Sequence, residues 1–175
     1  GGSTDGTLDI LRARQDRLGV LVSEPDRGLY DALNKGLRLA RGDVVGFLHS
    51  DDLFADAAVL SRVAAAFADP AVCAVYGALQ YVRKGDTRRV VRHWKSAPFR
   101  ARLLARGWMP PHPSLYVRRE WYERIGGFDT RYRIAADYFS ILQLFSQPGF
   151  KAVYLPQVLV KMRVGGASNR SLANI

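Results

Sequence analysis

The chain has 175 residues, 48% of them hydrophobic, and carries 26 Lys and Arg against 16 Asp and Glu, a formal net charge of +10. That apolar share suffices for a sizeable core in one domain, residues 1–175, and 16 Gly with 8 Pro is ordinary usage that argues against disorder. No apolar run approaches a membrane span, and Cys73 as the single cysteine excludes an internal disulfide and a Cys-based metal cluster.

In chain order, Thr7 to Leu18 reads as a helix with Leu8, Leu11 and Leu18 apolar and Gly19 as its stop. Gly19 to Ser23 is a short strand, and Glu24-Pro25-Asp26-Arg27-Gly28 is a loop by its Pro and Gly. A second helix runs from Leu29 to Ala40, with Leu29, Leu33, Leu37 and Ala40 near one face. A strand ending at His49 follows, then a helix from about Asp56 to Ala68, stopped at Pro70. This alternation predicts an α/β fold: a mostly parallel sheet with helices on both faces. The second half adds a smaller antiparallel part. There, Val72 to Val82 and Thr87 to Trp94 form a hairpin around Lys84-Gly85-Asp86, with Cys73 as a small core residue. A basic helix over Pro98 to Arg106, a rigid loop from Trp108 to Ser114, a strand Leu115–Val117 and a helix Arg119–Ile125 come next. Gly126-Gly127 must turn sharply, an apolar helix spans Ala136 to Phe145, and strands at Lys151–Leu155 and Val158–Arg163 complete the pattern.

The positive charge is concentrated. Between Arg83 and Arg106 lie nine Lys or Arg and one acid, Asp86. Such a surface suits nucleic acid, an anionic membrane face or anionic small substrates. No RNP-type aromatic motif, zinc finger or helix-turn-helix signature accompanies it, so specific nucleic-acid binding is not expected.

The chemistry-bearing feature is Val44-Val45-Gly46-Phe47-Leu48-His49-Ser50-Asp51-Asp52, a strand-type run that ends in two adjacent carboxylates. In an α/β sheet the ligand crevice lies beyond the carboxyl ends of the strands. Two neighbouring anions are relieved by a cation, and an oxygen-seeking divalent metal carrying a diphosphate would supply one. Equally, Asp51 and Asp52 could cap the next helix, and on these residues alone both readings stand.

Gly2-Ser3-Thr4-Asp5-Gly6-Thr7 resembles the corresponding segment of family 2 glycosyltransferases, which have the GT-A, Rossmann-like fold. The likeness continues in Glu24 to Gly28, Tyr30-Asp31-Ala32-Leu33-Asn34-Lys35-Gly36, Ala40 to Asp43 and Ser50-Asp51-Asp52. It extends to His112-Pro113-Ser114, Gly126 to Asp129 and Ala136-Asp137-Tyr138, in the family's order over nearly the whole chain. The resemblance, nearest to bacterial enzymes of surface-polysaccharide synthesis, implies transfer of a sugar from a nucleotide-sugar donor to an acceptor hydroxyl, with inversion. It implies that Asp51 faces the donor ribose and that Asp52 binds Mn2+ or Mg2+ on the diphosphate. It also makes Asp137, at the start of an apolar helix, the catalytic base; the residues alone would leave it a plain N-cap.

Asp5 and Asp26 match donor-side loops, and Lys35 would add positive charge near phosphate. His112, held between prolines, would touch donor phosphate or acceptor, and Trp108 is either an acceptor platform or a cover on the core edge. The acceptor is expected to be a saccharide or lipid-linked, and the site of action cytoplasmic, at the inner face of an anionic membrane. Two departures matter: His49 stands where many relatives carry Asp or Asn, and Met162 to Ser168 contains no His, leaving Arg163 to neutralise the leaving phosphate. The family's first strand and helix have no counterpart, so the sequence reads as a piece truncated at both ends. A non-catalytic remnant and a basic nucleic-acid-binding module are the alternatives.

Overall fold

The computed structural model describes residues 1–165. Six strands build one sheet: β1 (Val44–Gly46), β2 (Asp52–Phe54), β3 (Ala74–Arg83), β4 (Asp86–Trp94), β5 (Leu115–Arg118) and β6 (Ala152–Arg163). Their order is β1-β5-β3-β6-β2, with β4 on β3. Five α-helices accompany them: α1 (Thr7–Arg12), α2 (Leu29–Leu39), α3 (Val59–Ala66), α4 (Arg119–Ile125) and α5 (Ala136–Phe145).

β3 organises the core because its side chains alternate between faces. Ala74 and Tyr76 join a cluster with Tyr30 of α2, Trp121 and Tyr122 of α4 and Ile141, Leu144 and Phe145 of α5. Val75, Leu79 and Tyr81 join a second cluster with Val59 and Val63 of α3. Helices therefore lie on both faces, as the alternation predicted.

The sheet is mixed rather than mostly parallel. Only β3 and β6 run parallel; β1–β5, β2–β6, β3–β4 and β3–β5 are antiparallel. The reason lies in the connections. Lys84-Gly85 is too short to do anything but reverse the chain, whereas α4 and α5 intervene between β3 and β6 and supply the crossover that parallel pairing requires.

Several elements differ from the sequence reading. The first helix stops at Arg12 and gives way to a 3-10 turn at Gln15–Arg17, and α1 buries no residue. Without a packed face, a short helix has little to sustain it. Residues 19–23 form no strand: Val20 and Val22 are each 48% exposed, and no described segment pairs beside them. Pro98 to Arg106 holds only a 3-10 segment, Ala101–Arg106, ended by Gly107 in the left-handed region at φ 73°. β6 is one strand, not two. Pro156 falls where its register against β3 shifts, between Tyr76↔Tyr154 and Ala78↔Val158, so its missing N–H is absorbed in a bulge. Gly77 faces that bulge: a Cβ there would lie 2.8 Å from the Gln157 carbonyl oxygen.

Candidate active site

Asp51 lies within, and Asp52 closes, a tight turn in which the Asp52 N–H donates to the His49 carbonyl at 3.0 Å. Neither caps a helix. Asp52 opens β2, and the turn before α3 is made by Asp56, which accepts the Ala58 N–H at 2.8 Å. The Asp52 carboxylate is buried, 5% exposed, and both its oxygens lack a hydrogen-bond partner among the described residues. Burial, helped by the neighbouring Asp51, pushes its pKa up to about 6. A carboxylate so placed favours a proton or a cation. Arg163, from the end of β6, donates to the Asp51 carbonyl at 3.2 Å and brings positive charge to the same turn.

Asp137 lies in the first turn of α5, where the helix dipole favours an anion. It is not the N-cap; that position is Ala135, at φ 71° the one non-glycine residue with positive φ among the described residues. The Tyr30 hydroxyl donates to Asp137 Oδ1 at 2.9 Å. His112 sits in a 3-10 turn, His112–Ser114, pinned by the Ser114 hydroxyl donating to the Gly77 carbonyl at 2.8 Å. Its ring stacks on Phe47 at 5.6 Å, lies 6.3 Å from the His49 ring and is 4% exposed, and its Nε2 has no partner among the described residues. Burial holds His112 down to about 4, so it is neutral near pH 7; His49 is likewise lowered by burial. Asp137 acts electrostatically on both histidines, and Asp51 acts on His49. The fold thus links the Asp51-Asp52 turn to Asp137 through His49 and His112.

Other expected residues go elsewhere. Asp5 is exposed and accepts from the Thr7 hydroxyl at 2.6 Å. Lys35 Nζ meets Asp26 and Glu24, each at 2.7 Å, and Asp31 at 3.7 Å, so its charge is shared among carboxylates. That cluster borders a cavity of about 500 Å³ also lined by Val20, Val22 and Arg41. Trp108 packs edge-on to Tyr76 and Phe145, each at 5.8 Å, and covers the edge of the core while remaining partly exposed. Cys73 is buried, as expected. Gly166 to Ser168, within the stretch noted for its missing His, lie outside the described residues.

The sequence reading missed Tyr30, took His49 only as a departure, and passed over Tyr122, whose buried hydroxyl has no partner among the described residues and lies in the field of Asp137. A tyrosine near a helix start looks like any core aromatic, and nothing local marks its partner. Among the described residues no group of three or more His, Cys, Asp and Glu could hold a metal. Two adjacent carboxylates nevertheless fit an Mg2+ or Mn2+ completed by diphosphate oxygens and water, and the unpartnered oxygens of Asp52 suit that use.

A family model described as "Glycosyl transferase family 2" matches residues 1–134. The chain is 34% identical over 174 residues to a PGL/p-HBAD biosynthesis glycosyltransferase of Mycobacterium bovis, covering 97% of this chain and 65% of that protein. An uncharacterized glycosyltransferase of Mycobacterium tuberculosis is 32% identical over 144 residues, covering 82% of this chain and 54% of its own. Among solved structures, a mannosyltransferase from Pyrobaculum calidifontis in complex with GDP-Man and Mn2+ superposes with a TM-score of 0.63 at 25% identity, over 95% of this chain and 47% of that one. TarS 1-349 of S. aureus in complex with UDP-GlcNAc gives 0.72 at 18% identity, over 99% and 50%. The chain thus spans 65% of the length of the first of these relatives and about half of the solved chains.

Proposed function

The chain belongs to glycosyl transferase family 2, with the GT-A architecture, and on that premise we propose that it moves a sugar from a nucleoside-diphosphate sugar to an acceptor hydroxyl, with inversion. Asp137 takes the acceptor's proton. The acceptor oxygen attacks the anomeric carbon, the bond from that carbon to the phosphate oxygen breaks, and the nucleoside diphosphate leaves with the electron pair. Asp52 would hold Mn2+ or Mg2+, with Asp51 toward the donor ribose. When bound, the metal neutralises the developing diphosphate charge. Arg163 adds positive charge at that end of the site, and neutral His112 offers a hydrogen bond without a competing cation. Asp26 and Lys35 line a cavity of about 500 Å³, large enough for a nucleoside, and with Asp5 would serve the donor.

What carries the reading is that the turn bearing the unpartnered, buried Asp52 and the hydrogen-bonded, half-buried Asp137 share one neighbourhood, since Asp51 and Asp137 both act electrostatically on His49. The two acids then divide the chemistry, Asp52 serving the leaving group and Asp137 the acceptor. The acceptor is a saccharide or lipid-linked, and the enzyme works at the cytoplasmic face of an anionic membrane. That placement rests on the exposed, basic strand β4. Family membership and the missing recognition motifs disfavour the nucleic-acid alternative. The test is nucleoside diphosphate release from a panel of nucleotide sugars, with saccharide and lipid-linked acceptors, in Mn2+, Mg2+ or EDTA. Acceptor-dependent release that EDTA abolishes is expected. Tight, sequence-selective nucleic-acid binding at physiological salt, with no donor turned over, would reverse the proposal.

A further inference from the structure

Tyr30 and Asp137 are 107 positions apart and are joined by the 2.9 Å bond from the phenol to Oδ1. That contact is braced. Asn34, one turn further along α2, donates to the Phe128 carbonyl at 2.8 Å and accepts the Phe128 N–H at 2.9 Å. The Tyr30 ring stacks on Phe128 at 5.8 Å and is 8% exposed. The phenol is therefore aimed by α2 and by the Gly126–Phe128 turn together. Burial, then the adjacent Asp137, pushes its pKa up to about 12, so it remains a donor throughout the neutral range.

Resting on the reading of Asp137 as base, we propose that Tyr30 is the positioning residue of that base: its hydroxyl fixes Oδ1, stabilises the ionised carboxylate and leaves Oδ2 to take the acceptor's proton. Four titratable side chains face Asp137: Tyr30 from α2, Tyr122 from α4, His112 from the 3-10 turn and His49 from the loop after β1. Tyr30 alone among them has a hydrogen bond to the carboxylate among the described residues. Both histidines are held toward neutrality by burial, so neither replaces it as a charged partner.

The experiment uses Tyr30→Phe in the full chain, which keeps the ring on Phe128 and removes only the donor. Losing a hydrogen bond to a charged group corresponds to about a tenfold change in rate. Turnover should therefore fall about tenfold with donor KM unchanged, a split that loss of folding or of donor binding would not give. Asp137→Asn is assayed beside it. If Asp137→Asn loses turnover while Tyr30→Phe leaves kcat unchanged or raises donor KM with it, the positioning role is overturned and the base stands. If Asp137→Asn keeps turnover, the base reading falls and takes the positioning role with it.

Discussion

Removing the titratable ring at His112 tests the site's burial directly. His112 is 4% exposed, and its pKa falls from an ordinary 6.5 to about 4 through burial. The unfolded chain therefore binds a proton in a window where the folded chain does not. Stability from this group is fully present above about pH 6.5 and is lost as pH falls toward 4. At about 1.4 kcal/mol per pH unit, the loss is about 3 kcal/mol. Asp52 works in the opposite sense: its raised pKa makes stability fall as pH rises from 3.8 through about 6. The two windows overlap, so the wild type should look flatter between pH 4 and 6 than either group alone would make it. His112→Phe keeps the aromatic contact with Phe47 and abolishes the titration, and His112→Gln serves as a check on packing. Urea unfolding of wild type and both variants from pH 4 to 7.5, in EDTA, gives difference curves that isolate the histidine. Wild type should lose about 3 kcal/mol relative to each variant on acidification, or about 6–12 °C in Tm for a chain of this size. Flat difference curves would refute the claim that His112 is held neutral by burial.

Asp137→Asn should cut turnover about 10²–10⁴-fold with donor affinity unchanged, measured by steady-state kinetics beside calorimetry with a nucleoside diphosphate. Asp52→Asn should weaken Mn2+ and nucleoside diphosphate together, since it removes a hard anionic oxygen; equal affinity for both in the variant would remove Asp52 from the metal site. Gly77→Ala would set a Cβ 2.5 Å from Leu159 Cγ and 2.8 Å from a backbone oxygen, and should cost about 2 kcal/mol or more in urea unfolding. The strand β4 is exposed along most of its length, with Arg88, Arg89, Val90 and Val91 at the surface. Sedimentation should show binding to phosphatidylglycerol-containing vesicles but not to pure phosphatidylcholine, lost at high salt and weakened about tenfold or more by Arg88→Gln with Arg89→Gln.

Much of the fold was legible because local signals were strong where tertiary structure agreed with them. The helices Arg119–Ile125 and Ala136–Phe145 fall where periodicity and the flanking glycines or loop put them, and Lys84-Gly85 makes the expected hairpin. Residues 19–23 show the opposite case: an apolar run states a preference for strand, but a strand exists only when a neighbour completes its ladder. Sheet direction was likewise beyond the pattern, since alternation says which face a residue takes and nothing about which strand lies beside it.

Residue identity already marks the side chains able to do chemistry: the paired acids at 51 and 52, the acid opening an apolar helix at 137, and the histidine between prolines at 112. Packing sets the environment that each of them meets. Asp52 turns inward and is left without hydrogen-bond partners, Lys35 is engaged by three carboxylates instead of standing free, and Trp108 packs on the core edge. Tyr30 meets Asp137 only because the fold brings the start of α2 beside the first turn of α5. Residue type fixes which charges and donors are available, but pKa, hydrogen-bond partner and accessibility depend on atoms brought near by packing, often a hundred positions away.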